Sequence, residues 1–537
     1  MNGYSVNAGD HEEYLPQIYH LSDPTLYSRD FFVQHFIQYP HTVRDFTLAY
    51  LSILYQSSHF ELLLFLSSFL CILLSVYAFF KLAQLLTGNE LAAYIGTFLI
   101  FLVFYKITLG GNNLQYTQFV SSTPAKALAA LAILQFFRKR YYLSAGLLGI
   151  ATLFQMLAGF QVFILLFLTG WLCKRINLKE TLAYAFCYMV PAAFIIVPML
   201  SGLTGTEPGV DKAAYYHSLF YVRNPFHYNP LTFPLKQYIL FILLLIAAFA
   251  AGMSKQTANY RFVRRMVLCI LVICALHTLC FISDVFHFFI LFQWFKMTIW
   301  AGAFAAIFIA DRISRLRFVE RLGGILHSGW LSGGLSLASA ALLFVILNSA
   351  AVPFYSFGDR YKIGHYQPSD LSLMHRWIEA NTPKDALFMS FPDDDSFLCE
   401  ARRSMPVHFR AMVHTPAYLQ DWNASIKEIY HIDVQLFDPK STTLRKEAGR
   451  LYNQDTNIPY FKPVNKLNYK LIDTETYCCG SYAGKVCFTE GRITGHTILP
   501  YDEQGLSVDR AVVHIPAFAL SAGPLWKRMD PSRTIIL

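Results

Sequence analysis

Two groups of side chains in this sequence have the types and spacing that chemistry needs. One is acidic: Asp10, Glu12 and Glu13 fall within four positions, and Asp30 follows in Ser28-Arg29-Asp30. Clustered carboxylates ahead of a membrane bundle suit a general base or a ligand for a divalent cation. Their bland alternative is a solvated acidic loop, and for Asp30 a local pair with Arg29 or a helix cap. The other group is cationic. Arg223 and His227 share a loop broken by Pro225, Pro230 and Pro234. An arginine there suits bidentate phosphate contact, and a histidine can touch phosphate, bind a metal or move a proton. Surface Arg and His side chains would give the same pattern. Lys296 lies inside the apolar block Phe288–Ala310. A charge at mid-bilayer costs about 2.5–3.5 kcal/mol, so Lys296 should meet a carboxylate or a lipid phosphate unless it snorkels. Lys126, near the start of Ser122–Phe137, is expected to snorkel. His277 is expected to be a satisfied core residue.

The composition says what must hold these groups. Of 537 residues, 55% are hydrophobic and 15% charged, with a mean hydropathy of +0.37; soluble domains carry about 25% charge. The apolar residues gather in blocks long enough to cross a bilayer, so the chain reads as a polytopic α-helical membrane protein. The net charge of +9 does not call for a nucleic-acid partner, because its basic residues sit in short loops where membrane orientation explains them. Of the cysteines, Cys71, Cys173, Cys187, Cys269, Cys274 and Cys280 read as small apolar side chains. Cys399, Cys478, Cys479 and Cys487 lie in the soluble part, with no zinc spacing and no deducible pairing.

Residues 1–59 contain neither a span nor a signal peptide. Ser22-Asp23-Pro24 reads as a helix start, and Val43–Gln56 has the apolar spacing of an interfacial helix. Residues 60–350 form the bundle. Spans are expected near Glu61–Leu86, Leu91–Leu109, Ser122–Phe137, Tyr141–Leu157, Phe160–Cys173, Thr181–Leu200, Gln237–Met253, Met266–Ser283, Phe288–Ala310 and Gly329–Ser349. The fourth and fifth are short, so Gly159-Phe160-Gln161 suits the tip of a hairpin buried in protein. Arg138-Lys139-Arg140, Lys174-Arg175, Lys255 to Arg265 and Arg312 to Arg321 all fall on one side, which the positive-inside rule makes the cytoplasm. The acidic loop, Ser201–Lys236 and everything after Ala350 then face outward. Residues 351–537 read as an extracytoplasmic α/β domain. They offer a helix over Asp370–Asn381, a turn at Thr382–Asp385, strands at Ala386–Phe391 and Met405–Phe409, a helix near Thr442–Tyr452 and a poorly patterned tail.

Several stretches also carry a resemblance. The pattern GDxEEYLP at Gly9–Pro16 is followed by DPxLYxxDFF at Asp23–Phe32, ahead of the membrane helices. RNPFHYNP at Arg223–Pro230, FQWFK at Phe292–Lys296 and WIEANTPKDALF at Trp377–Phe388 complete the set. In order and sidedness these resemble the GT-C superfamily of polyprenyl-phosphate-sugar-dependent membrane glycosyltransferases, in a poorly characterised bacterial branch that has Arg where Lys296 stands here. The resemblance spans about Asn7 to Asp433. It implies an inner-membrane enzyme that moves a hexosyl or pentosyl group, with inversion, from a polyprenyl-phosphate donor to a lipid, glycan or protein acceptor outside. It also implies that a carboxylate of the first outward loop deprotonates or orients the acceptor. That role maps best onto Asp10, with Glu12 or Glu13 as alternatives and Asp30 as a second catalytic candidate, while Arg223, His227 and Lys296 would hold the donor phosphate. Because such enzymes carry a helix just before this loop, we expect an apolar helix encoded upstream of Met1. No motif demands a cofactor, although the acids would suit Mg or Mn. The rival readings are a transporter or flippase of lipid-linked sugars and a catalytically inactive envelope-assembly protein.

Overall fold

The computed structural model describes residues 4, 6–7, 9–38, 45–204, 211–253, 257–319, 370–439 and 442–454, with isolated positions and pairs between 337 and 363 and between 462 and 493. The expected last span, Gly329–Ser349, and Cys478, Cys479 and Cys487 lie outside the described residues. The chain divides into two units. The membrane unit comprises residues 1–5, 43–205 and 224–366, and the second unit residues 6–42, 206–223 and 367–537. The units therefore interleave along the chain, unlike the three consecutive segments read from the sequence.

In the membrane unit five helical segments are long and apolar enough to cross a bilayer: Phe60–Thr87, Leu178–Pro198, Leu235–Gly252, Ala258–Ile282 and His287–Ser314. The protein is thus a multi-pass membrane protein. Shorter apolar helices, Glu90–Val103, Ser122–Phe137, Tyr141–Phe154 and Met156–Leu172, accompany them. Burial identifies the centre. In His287–Ser314, 83% of the apolar window is buried, against 17–33% in the other four. A helix apolar all round belongs inside a bundle, and here Ala301, Gly302, Ala303, Ala305 and Ala306 are all buried. Small side chains let neighbouring backbones approach closely. The segment is not one continuous helix. It breaks after His287–Ile290, passes Gln293 at φ 50, makes the tight turn Trp294–Met297 and resumes as Thr298–Ser314. Lys296 therefore sits in an interruption and not on a helix wall.

Two details of the bundle differ from the sequence reading. The break between the two short helices falls at Gln155, which is extended at φ −147 and ψ 110. Gly159 is instead inside Met156–Leu172, because its bare Cα lets the returning helix pack on Thr152 and Leu148. Gln161 is buried and donates to the Phe292 carbonyl at 2.6 Å. Lys126 does not snorkel: it is 4% exposed and bonds the Asn112 amide oxygen at 2.7 Å and the Asn113 carbonyl. These nearby oxygens give the ammonium what water would have supplied, which removes the reason to extend outward.

Gly149 marks a tight crossing. A Cβ there would lie 2.5 Å from the Tyr188 carbonyl oxygen and 2.3 Å from Cγ of the Pro191 ring. Neither backbone nor proline ring can swing aside as a side-chain tip can. Gly149→Val should therefore cost about 1–3 kcal/mol, at the upper end of that overpacking range. A lowered unfolding temperature of the purified protein would show it.

The second unit is helical where described: Leu15–Ser22, Phe31–Gln38, Lys212–His217, Asp370–Asn381, Pro416–Tyr430 and Leu444–Gln454. No strand longer than two residues occurs among the described residues. The strands expected at Ala386–Phe391 and Met405–Phe409 do not form; isolated bridge residues remain, with Leu387 paired in parallel to Ser404. The apolar runs are real, since Leu387, Phe388, Met405 and Val407 are buried. They pack against helices, and their backbone finds other partners: the Met405 N–H, for example, goes to a side chain. Tyr27, Phe31, Phe32, Tyr418, Trp422 and Tyr430 form the aromatic heart of this unit.

Candidate active site in the N-terminal acidic loop

The acidic loop is a short tight helix, Gly9–Glu13. Gly9, at φ 65, starts it in a left-handed conformation and donates its N–H to the Asp395 carbonyl at 2.9 Å. Pro16, early in the following helix, sets the direction of exit. Helical winding then separates three carboxylates that are nearly contiguous in sequence.

Asp10 is engaged. Arg410 donates to it at 2.9 Å and, through its other terminal nitrogen, to Asp395 at 2.6 Å. Glu12 differs from Asp10 in its burial: it is 3% exposed. Burial first, then the charges of Asp394 and Asp395, push its pKa well above the usual carboxylate range; Arg410 and Arg445 oppose the shift without cancelling it. Glu13 is half-buried and bears electrostatically on Arg223.

Arg223 ends the wide helical turn Ser218–Arg223. Its guanidinium lies 5.2 Å over the Trp422 ring and donates to the Ala411 carbonyl at 3.2 Å. Its Nε is buried with no partner among the described residues. Burial lowers its pKa to about 10, against the raising influence of Tyr418 and Glu13. It remains a cation at neutral pH with donor capacity unspent, which is what an incoming anion requires.

Asp30 is placed differently. Its carboxylate is fully buried and accepts from the Val33 N–H at 2.9 Å, the Met405 N–H at 2.9 Å and the His408 Nε2 at 3.0 Å. It caps the helix Phe31–Gln38 and ties it to the chain around Met405. Both oxygens are committed, which fits the capping alternative and not the pair with Arg29.

His227 and Lys296 belong to the membrane unit, where one loop joins them. Gly110 and Gly111, at φ 73 and 62, turn the chain so that the Gly110 carbonyl meets His227 Nδ1 at 2.9 Å. Asn112 donates to the Lys296 carbonyl at 3.1 Å and receives Lys126. The His227 ring and the Lys126 ammonium thus meet residues 110–113, and Lys296 is tied to them through its backbone. His277 is fully buried with Nε2 on the Tyr228 carbonyl at 2.8 Å, as a core residue should be.

Arg410, Arg445, Asp394, Asp395 and Trp422 were not singled out from the sequence. The run Asp393-Asp394-Asp395 after Pro392 was the available signal, because three adjacent acids inside an apolar region need cations. Among the described residues no three His, Cys, Asp or Glu side chains converge to hold a metal ion.

Behind the site, His375 is buried between two acids, Nε2 to Asp394 and Nδ1 to Glu400, each at 3.0 Å. Burial alone would lower its pKa, but the two carboxylates outweigh it and raise it from 6.5 to about 9. An imidazolium gaining partners on folding contributes stability that is fully present below its unfolded pKa. That contribution should disappear as pH rises from about 6.5 through about 9. Unfolding temperatures measured across this interval should fall, and in His375→Gln the slope should flatten.

A family model described as a domain of unknown function, DUF6798, matches residues 369–429. The match covers His375, Asp394, Asp395, Glu400, His408, Arg410 and Trp422, but not the acidic loop or Arg223. No curated protein matches the chain. No solved structure matches it either.

Proposed function

We propose that the protein is a membrane glycosyltransferase similar to the GT-C enzymes, moving a sugar from a polyprenyl-phosphate donor to a lipid, glycan or protein acceptor on the outer face of the inner membrane. One observation carries the reading: Glu12, a buried carboxylate whose pKa is raised well above the usual carboxylate range, lies in the loop where the resemblance calls for a base and within electrostatic reach of Arg410 and Arg445. A carboxylate whose pKa is raised is a stronger base toward a hydroxyl proton. Asp10, favoured by the sequence pattern, is already spent on Arg410, so the base is assigned to Glu12.

In the proposed step the acceptor O–H gives its proton to Glu12, and its oxygen bonds to the anomeric carbon. The bond from that carbon to the phosphate oxygen breaks, and its electron pair leaves with the polyprenyl phosphate. Arg223 stabilises that anion through its free Nε–H. A guanidinium held on an aromatic face is already oriented, so little freedom is lost on binding. Asp10 and Asp395 hold Arg410, which tunes Glu12.

Incubating the purified full-length protein with a synthetic polyprenyl-phosphate sugar tests the reading. Transfer or slow hydrolysis of the sugar supports it. Movement of intact donor between leaflets with no release would favour the flippase reading, and inertness toward both would favour an envelope scaffold.

A further inference from the structure

At the end of the bundle where the basic residues collect there is a cleft of about 730 Å³, lined among others by Lys139, Arg140, Tyr142, Leu143, Arg175 and Glu180. We infer that this cleft binds the headgroup of an anionic phospholipid, with an acyl chain running along the helix Tyr141–Phe154. Nothing in the proposed glycosyl transfer requires this site, since none of its residues belongs to the acidic loop, the arginine cluster or the Gly110–Asn113 turn.

The cleft is built, and not merely bordered by loop charges. Two helices, Ser122–Phe137 and Met156–Leu172, end here in the same way. The Arg140 N–H bonds the Gln135 carbonyl at 2.9 Å, and the Arg175 N–H bonds the Gly170 carbonyl at 2.8 Å. Between these bonds Lys139 and Lys174 adopt φ 62 and 52. Glycine takes that left-handed position at lower cost, yet the chain places a cation at both. Arg175 is fixed from several sides. Its guanidinium lies 5.1 Å from the Phe137 ring and 4.6 Å from the Phe262 ring, and it donates to Asn259 at 2.8 Å. Tyr141 donates to its carbonyl at 3.2 Å.

Glu180 does not neutralise the lining. Its carboxylate accepts the Asn177 N–H at 2.8 Å, while the Asn177 side chain accepts the Glu180 N–H at 2.9 Å, a reciprocal cap of the next helix. Three cations thus face a single, occupied carboxylate, which favours an anion with a phosphate's charge. Basic pockets between membrane helices take lipid headgroups in this way.

The apolar side of the cleft selects a lipid over a free phosphate. Tyr142 and Leu143 are 54% and 49% exposed, and Ile150 on the same helix is 40% exposed. Between them Gly146 has open space where a Cβ would stand. Residues 142, 146 and 150 recur every four positions and share a face. That exposed apolar face runs from the charged lining along the helix and is open at Gly146, which leaves room for an acyl chain.

The test uses the full-length protein in neutral detergent, with lipid binding followed by native mass spectrometry. Phosphatidylglycerol should bind saturably and phosphatidylcholine far more weakly. Glycerol 1-phosphate should not compete at equal concentration. Lys139→Gln combined with Arg140→Gln should weaken phosphatidylglycerol binding roughly tenfold or more, since each surface cation contributes a factor of about five. Both side chains are exposed, so the unfolding temperature should not move. Arg175 is spared because its guanidinium packs the fold. Equal binding of the two lipids would overturn the headgroup assignment. Competition by glycerol 1-phosphate would reduce the cleft to a phosphate site, and an unchanged double variant would remove the site altogether.

Discussion

Glu12→Gln should abolish sugar transfer while leaving the protein better folded than before. A general base contributes about 10²–10⁴-fold, and glutamine keeps the shape of the side chain while removing its ability to take a proton. Turnover should fall by that factor, and donor affinity should change little because Arg223 is untouched. The stability effect has the opposite sign. A carboxyl whose folded pKa is raised makes the native state bind more protons than the unfolded state, between the ordinary 4.5 and the raised value. Stability therefore falls as pH rises across that interval, and the neutral amide avoids the loss. Thermal unfolding at neutral pH should show Glu12→Gln above wild type. Activity lost together with stability would mean that Glu12 is a structural side chain. Asp10→Asn should cost less activity, because it loosens Arg410 without removing the base.

Asp30→Ala should be the most destabilising single change in the second unit. It strips the cap from Phe31–Gln38, worth about 1 kcal/mol. It also leaves the buried His408 and the Met405 N–H without their acceptor. Leaving a buried donor without its acceptor costs about 1–3 kcal/mol for each of the two groups. Trp422 offers a direct readout, since its ring N–H bonds the His408 carbonyl at 2.7 Å. Denaturant unfolding followed by tryptophan fluorescence should shift to markedly lower midpoints. Asp30→Asn should lose less: one amide oxygen still caps the helix, but its NH₂ faces two donors. If Asp30→Ala instead unfolds like wild type yet cannot transfer sugar, Asp30 belongs with the reacting groups.

These two carboxylates show how far the sequence could be read. Block length located the apolar helices, and Ser122–Phe137 was found with the bounds the structure has, although five of the ten expected spans are long enough to cross among the described residues. Those signals are local, and apolar length is sufficient for them. Strands were overcalled at Ala386–Phe391 and Met405–Phe409 because a short buried apolar run looks the same whether it pairs or packs. The acidic loop was legible as a cluster, but not which acid would be paired and which buried. That depends on Arg410, 400 positions away in sequence, and pairings of that range leave no periodic trace. Lys126 was misjudged for the same reason in miniature: the Asn112 and Asn113 oxygens that bury it were readable as residues but not as neighbours.

The most direct test is the pH dependence of sugar transfer by the purified full-length protein from a synthetic polyprenyl-phosphate donor. With Glu12 as the base, turnover should rise with pH through an inflection displaced well above the ordinary carboxylate range, and Glu12→Gln should stay at background throughout. A wild-type protein that transfers sugar with no such inflection, or a Glu12→Gln variant that follows the wild-type profile, would contradict the account.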